Sequence, residues 1–397
     1  MILSMERKVI YIRYIPLTAH IQDEFYFNAL VNAGIKVEYW DISALYSFIP
    51  QDIESYQSNI RIKQIYFKSF SELQQQIKQN KYALFWSIMT LELRLWKLWI
   101  LLNMYNCKKV VLAHLPIAFG SIVELNKGKY NIKSFLRKPI NFFINSIFKY
   151  KIINGYEYVF LGGSEGWKVI GLCGNIIINQ CKVYNIHSID YDKFIKKSPI
   201  NNATKDKYIV FLDQYLPFHP DNVICGLTPP NPIEYYTTLN NAFKIIENKY
   251  KIPIIIAAHP KALKYKDVNY YNGRKVIFNK TEELIFSSSL VLLHNSTSVS
   301  TAIMAKKPML YLSMDCLEKV NKSFNDDIIY LSKLFSSPCL CAEKISNNDL
   351  LDLDNLVKTD FDYKSYKSKY LTSLDNDSLR NEEIIVEAIN DIFNNNV

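Results

Sequence analysis

His259, Pro260 and Lys261 follow directly on the apolar run Ile252–Ala258, and Asn295, Ser296, Thr297 and Ser298 follow on Leu290–Leu293. An imidazole held at the end of a buried strand can donate a hydrogen bond to a phosphate oxygen, or protonate that oxygen as it leaves. Proline ends the strand and fixes the turn, and Lys261 adds charge. Hydroxyls and free backbone N–H groups at a helix start gather an anion in the same way, although Ser296 or Thr297 could equally serve as an ordinary N-cap. Together these residues predict a phosphate site. A reaction there also needs a base. Asp213, closing the run Tyr208–Leu212, is the first candidate, with turn capping as its plain structural role; Glu165 and Asp23 come after it. His219-Pro220 is a second His-Pro pair, but it stands in a loop with Pro217, Pro229 and Pro230 rather than after a strand, and ranks below His259.

Strands must carry these residues, and two stretches of the chain alternate short apolar runs with helical ones. In the first, Val9–Tyr14, Ile35–Tyr39, Tyr82–Trp86, Val110–Ala113, Tyr158–Leu161 and Val183–Ile186 read as strands, with helices at His20–Ala33 and Leu91–Tyr105. The second repeats the rhythm with strands at Tyr208–Leu212, Ile252–Ala258, Val276–Phe278, Leu290–Leu293 and Met309–Leu312. Its helices are Pro232–Tyr250, Thr281–Phe286 and Thr297–Ala305, and a last helix spans about Leu379–Phe393. Continuous apolar strands alternating with helices imply parallel sheets covered on both faces. The fold class is therefore α/β: two Rossmann-like domains facing an interdomain cleft. We expect an N-terminal domain over 1–195, a nucleotide-binding domain over 205–378 and a closing helix over 379–397, with a polar linker near 195–206. Ligands gather at the carboxyl ends of such strands. In the first half Thr18, His20, Ser87, His114, Gly163, Ser164, Glu165, His187 and Ser188 fall there, and are candidates for an acceptor wall. Gly162-Gly163 would let backbone approach a sugar closely.

Bulk properties narrow the function further. The chain has 397 residues, 49% hydrophobic and 21% charged, which suits two globular domains. Seven scattered cysteines form no disulfide framework, and Cys339-x-Cys341 lacks a second pair or a neighbouring His, so no zinc site is expected. Glu92, Arg94 and Lys97 interrupt the longest apolar region, which excludes a conventional membrane span there. With no secretory signal visible, a cytoplasmic protein is expected. The net charge of +9 is uneven: Leu125 to Tyr156 contains Lys127, Lys129, Lys133, Arg137, Lys138, Lys149 and Lys151 and no acid, with phenylalanines and isoleucines between them. Such a segment, 127–151, could lie on an anionic membrane surface, or be a packed helical pair with a solvated basic face. Nucleic acid is not an expected partner, since no binding module accompanies the charge. There is no P-loop, no G-x-G-x-x-G after the first strand and no D-x-D, so a dinucleotide cofactor and a metal are not expected.

His259-Pro260 followed about 35 residues later by Ser296-Thr297-Ser298 resembles the HP and S motifs of bacterial GT-B-fold sialyltransferases and related Kdo and capsule-polysaccharide transferases. The resemblance covers roughly 205–315. It implies a metal-independent, inverting glycosyltransferase using a CMP-activated donor of a nonulosonic acid or Kdo, and a surface polysaccharide or lipid-linked glycan acceptor. It further implies that His259 meets the CMP phosphate as, or beside, the general acid, and that the serine turn binds the same phosphate. Those families also carry two acidic residues before a glycine, one of them the base; this chain lacks that triplet. Other GT-B enzymes using a UDP- or GDP-sugar share the layout of Thr281–Leu312. Teichoic-acid-type CDP-polyol phosphotransferases also carry a His-Pro, usually with an acid before the serines where this chain has Asn295. A two-domain sugar-binding protein is the non-enzymatic alternative.

Overall fold

The computed structural model describes residues 6–46, 56–87, 95–114, 143, 145–170, 174–196, 207–220, 222, 227–320, 322–350 and 362–395. Most of the basic segment 127–151, the linker residues 197–206, Cys173 and Cys225 lie outside them. The described chain forms two compact units: one takes residues up to 114, from 143 to 195 and from 364 onward, the other the remainder.

The first unit is built on a seven-stranded sheet, β1 (Lys8–Arg13), β2 (Lys36–Asp41), β3 (Lys63–Tyr66), β4 (Leu84–Ser87), β5 (Lys108–His114), β6 (Tyr158–Gly162) and β7 (Lys182–Ile186). Every pairing is parallel, and the spatial order is β3-β2-β1-β4-β5-β6-β7. Strand sequences such as Val-Ile-Tyr-Ile bury both faces. Ile10, Ile12, Trp40, Phe85 and Val111 enter one apolar layer, while Val9, Tyr11, Tyr39, Leu84 and Trp86 enter the other. The helix expected over His20–Ala33 is broken into α1 (Ala19–Glu24) and α2 (Phe27–Asn32) by Tyr26, whose φ is 58°. That left-handed step places the Tyr26 hydroxyl against Asp192 and Asn381. α3 (Phe70–Gln79), α4 (Trp96–Met104) and α5 (Ile189–Lys196) are the longer helices of this stretch.

The second unit holds β8 (Ile209–Leu212), β9 (Ile254–Ala257), β10 (Val276–Ile277), β11 (Leu290–Leu293), β12 (Met309–Ser313) and β13 (Cys339–Cys341), in the order β10-β9-β8-β11-β12-β13 and again all parallel. α6 (Pro232–Tyr250) begins with Pro at its first position behind Asn231, whose side chain accepts from the N–H groups of Ile233 and Glu234. It ends at Lys251 in the left-handed conformation (φ 55°). α7 (Thr281–Ser287), α8 (Val299–Met304), α9 (Asp315–Val320) and α10 (Lys322–Leu334) follow.

From residue 364 the chain returns to the first unit. There α11 (Asn381–Asn394) buries Ile385, Ala388, Ile389 and Ile392 in the Tyr11–Trp86 layer. Among the described residues, no helix is long and apolar enough to cross a membrane.

Candidate functional site

In the second sheet the strand order reverses beside β8, between β9 and β11, and open parallel sheets take their ligands outside the carboxyl ends at such a reversal. Two side-chain amides join the strands there: Gln214 Nε2 donates to Asn295 Oδ1 (2.8 Å), and Gln214 Oε1 accepts from the Asn295 N–H (3.2 Å). Below them His294 is fully buried. Its Nδ1–H donates to the Leu312 carbonyl (2.5 Å), which leaves Nε2 to accept from the Tyr235 hydroxyl (3.1 Å). Burial lowers the His294 pKa to about 4, so it is a neutral clamp between β11 and β12.

The serine turn is arranged differently from the expectation. α8 begins at Val299 rather than Thr297 and has six residues, so the helix-dipole argument for an anion site loses its basis. Ser296 is buried and its Oγ accepts from the Ser298 N–H (3.3 Å), closing a local turn. Thr297 is exposed and Ser298 half-buried, and they are the two hydroxyl residues of the turn open to solvent.

Asp213 is the organising group. Its Oδ1 accepts from Tyr215 N–H (3.0 Å), Tyr265 Oη–H (3.0 Å) and Tyr271 Oη–H (2.8 Å), and its Oδ2 accepts from His259 N–H (3.3 Å). Burial pushes its carboxyl upward, and these four hydrogen bonds pull it partly back. A buried carboxylate with both oxygens occupied is badly placed to take a proton from an outside hydroxyl. Its evident work is structural: one oxygen holds the turn leading to His219, the other holds His259 itself.

The two His-Pro turns, separate in sequence, meet in space. The His219 and His259 rings lie edge to face with centroids 4.8 Å apart. The His219 loop is pinned by Tyr215, in the left-handed conformation (φ 56°), stacked edge-on to Tyr265, and by Lys264, whose Nζ lies 4.0 Å above the Phe218 ring. His259 Nδ1 accepts from the Lys261 N–H (3.2 Å), which puts the ring proton of the neutral imidazole on Nε2. Pro260 and Lys261 are exposed at the same turn. The loop around His219 carries no sequence sign of this contact, and Gln214, Tyr265 and Tyr271 carried no spacing that pointed to their places here.

The acceptor-side candidates of the first unit mostly hold the returning chain. Gly163 has φ +72°, and a Cβ there would stand 2.5 Å from the Lys369 carbonyl oxygen. The N–H groups of Ser164, Glu165 and Ser188 donate to the carbonyls of Ser368 (3.0 Å), Lys369 (2.9 Å) and Leu371 (2.6 Å). Glu165 also pairs with Lys168. His187 is buried, with Nε2–H donating to Leu379 O (3.0 Å) and Nδ1 accepting from Thr372 Oγ1 (2.8 Å). These contacts account for Gly163, Ser164, Glu165, His187 and Ser188 without a sugar. Thr18 N-caps α1 by accepting from Ile21 N–H (3.2 Å). His114 differs: its Nδ1 is buried with no hydrogen-bond partner among the described residues. Burial lowers its pKa, while the charges of Asp190 and Glu24 act against that. Glu24 in turn bonds His20 (2.9 Å).

Asp315, Cys341 and Glu343 place ligand atoms within 4.8 Å of one another beyond β12 and β13. Burial and the hydrogen bond to Glu343 push the Cys341 thiol up to about 11, and Asp315 also faces Lys344 (3.8 Å).

Two Rossmann-like α/β domains of this topology define a GT-B-type fold. No family model matches the sequence, and no curated protein does either. Among solved structures the chain is similar to the wall teichoic acid polymerase TagF, with a TM-score of 0.55 and 11% identity over 99% of this chain and 90% of that one. A variant of that polymerase gives 0.54, also at 11% identity, over 98% and 90%. UDP-GlcNAc 2-epimerase from Methanocaldococcus jannaschii aligns at 0.46 and 12% identity over 98% and 99%.

Proposed function

We propose that this chain is an inverting transferase that moves a sugar from a nucleoside-diphosphate-activated donor to a glycan acceptor. The observation that carries the reading is the His219–His259 pair, anchored through one buried carboxylate beside the strand-order reversal. The acceptor oxygen attacks the anomeric carbon, the bond from that carbon to the phosphate oxygen breaks, and the acceptor proton passes to a base. Negative charge grows on the departing diphosphate. Donors held in place beforehand stabilise that charge without reorganising. His259 offers Nε2–H, His219 a second imidazole, and Lys261, Thr297 and Ser298 further donors at the two turns. Two imidazoles suit a diphosphate better than the single phosphate of the CMP donor that the HP and S motifs imply. Asp213 acts here as a positioning residue.

A second reading keeps the same site but transfers a polyol phosphate from a CDP-activated donor. The likeness in fold to a wall teichoic acid polymerase favours it. The pair of histidines would then face the phosphorus under attack.

A thermal-shift panel of CMP, CDP, UDP and GDP tests these readings on wild type, His219→Ala and His259→Ala. UDP or GDP should raise Tm, and each variant should lose most of that shift. A response to CDP above the others supports the polyol reading. A response to CMP as large as to any diphosphate returns the donor to the CMP class. Nucleotide binding unchanged in both variants removes the histidines from the site, and binding without turnover of any donor leaves a sugar-binding protein.

A further inference from the structure

α4 has the sequence Trp-Lys-Leu-Trp-Ile-Leu-Leu-Asn-Met, apolar nearly all round. Leu98, Trp99, Leu101 and Leu102 face the core of the first unit. On the other side Trp96, Ile100 and Met104 recur at intervals of four and are 51%, 39% and 53% exposed. A helix apolar on every side is normally covered on every side; among the described residues this one is covered on one side only. At its C-terminal end the Asn103 side chain exchanges two hydrogen bonds with the backbone of Asn154 (3.1 and 2.8 Å). The turn so attached carries Tyr150 and Ile152, 69% and 72% exposed, while Phe148 and Tyr156 pack edge-on against Trp99 beneath.

Three lysines stand among these apolar side chains. Lys97 lies beside Trp96, Lys149 beside Tyr150, and Lys151 between Tyr150 and Ile152. The sequence from 125 to 156 has seven Lys and Arg and no acid. A second copy would present the same positive charge and be repelled, and so would the chain's own basic segment. A surface of anionic lipid complements both features, taking aromatic and aliphatic side chains at headgroup depth and attracting the lysines.

We propose that the exposed face of α4, with the Tyr150–Ile152 turn, docks the protein on an anionic lipid bilayer. The inference does not depend on which donor the second unit takes. Flotation of the whole chain tests it, with vesicles of phosphatidylcholine alone and vesicles containing phosphatidylglycerol. Wild type should float with the anionic vesicles and not the neutral ones, less so as salt rises through the screening range. The triple variant Trp96→Ser/Ile100→Ser/Met104→Ser should bind at least about tenfold more weakly. Lys97→Glu/Lys149→Glu/Lys151→Glu should also lose binding, with its thermal unfolding near wild type because those three side chains are exposed. Flotation that neither variant changes, or the same flotation on neutral vesicles, would overturn the proposal. So would a concentration-dependent dimer, seen by light scattering, that the apolar variant abolishes while vesicle binding persists.

Discussion

Asp213→Asn keeps the side chain's shape but offers an amide where four donors converge, so at least one buried N–H or O–H loses its acceptor. The cost should be about 2–3 kcal/mol, read by urea unfolding. Nucleotide-induced stabilisation should fall in the same variant although residue 213 need touch no nucleotide; an undiminished shift would show that the carboxylate does not position the histidines. His294 sets a pH dependence. Its folded pKa is lowered to about 4 from an ordinary 6.5, so below pH 6.5 the unfolded chain binds the proton that the folded chain refuses. Stability from this residue is full above that pH and falls by up to about 1.4 kcal/mol per unit as pH drops toward 4. Burial lowers His187 and His114 with the same sign. Asp213, whose pKa is raised, binds its proton first in the folded state and works against them at the acid end. Urea unfolding at pH 7 and pH 5 measures the slope, which His294→Asn should flatten. The two histidine turns were legible in the sequence as His-Pro pairs. Their meeting was not, because it depends on a carboxylate after β8 and two tyrosines from the distant connection between β9 and β10.

Strands and helices of the cores were readable wherever burial was complete on both faces. β11 has the limits its Leu-Val-Leu-Leu run implies, and α6 those implied by its proline and apolar spacing. β3 escaped because Lys-Gln-Ile-Tyr is a half-exposed edge, and β13 because it has only three residues. The first-unit candidates after β6 and β7 were selected correctly as strand ends, but a sequence cannot say which strand ends another part of the chain will cover. Residues 368–371 cover these. Asn381 completes the junction: its Oδ1 accepts from His187 N–H, its Nδ2 donates to His187 O and to the Tyr26 hydroxyl, and its N–H donates to Asp192. Gly163→Ala should therefore cost at least about 2 kcal/mol, from both its positive φ and the contact with the Lys369 carbonyl. Calorimetry of the variant checks this, and a Tm within a degree of wild type would mean that the crossing segment yields easily.

For the molecule as a whole, the second unit has its own sheet, and the residues proposed to meet the nucleotide all lie within it. Residues 196–363 expressed alone should fold and keep the nucleotide-induced Tm shift. The first unit cut off before residue 364 should not fold stably, since α11 fills one face of its sheet. Circular dichroism of the two fragments checks both outcomes. The detour of the chain out of the first unit and back also imposes an order on synthesis. As the polypeptide leaves the ribosome, the strands up to β7 emerge first, yet the layer beneath Tyr11 and Trp86 stays open until residues 381–394 appear. The unit begun first is thus finished last, after the inserted one has had its whole sequence available to fold. Through that interval chiefly α1 and α2 cover the sheet face that α11 will later help to fill.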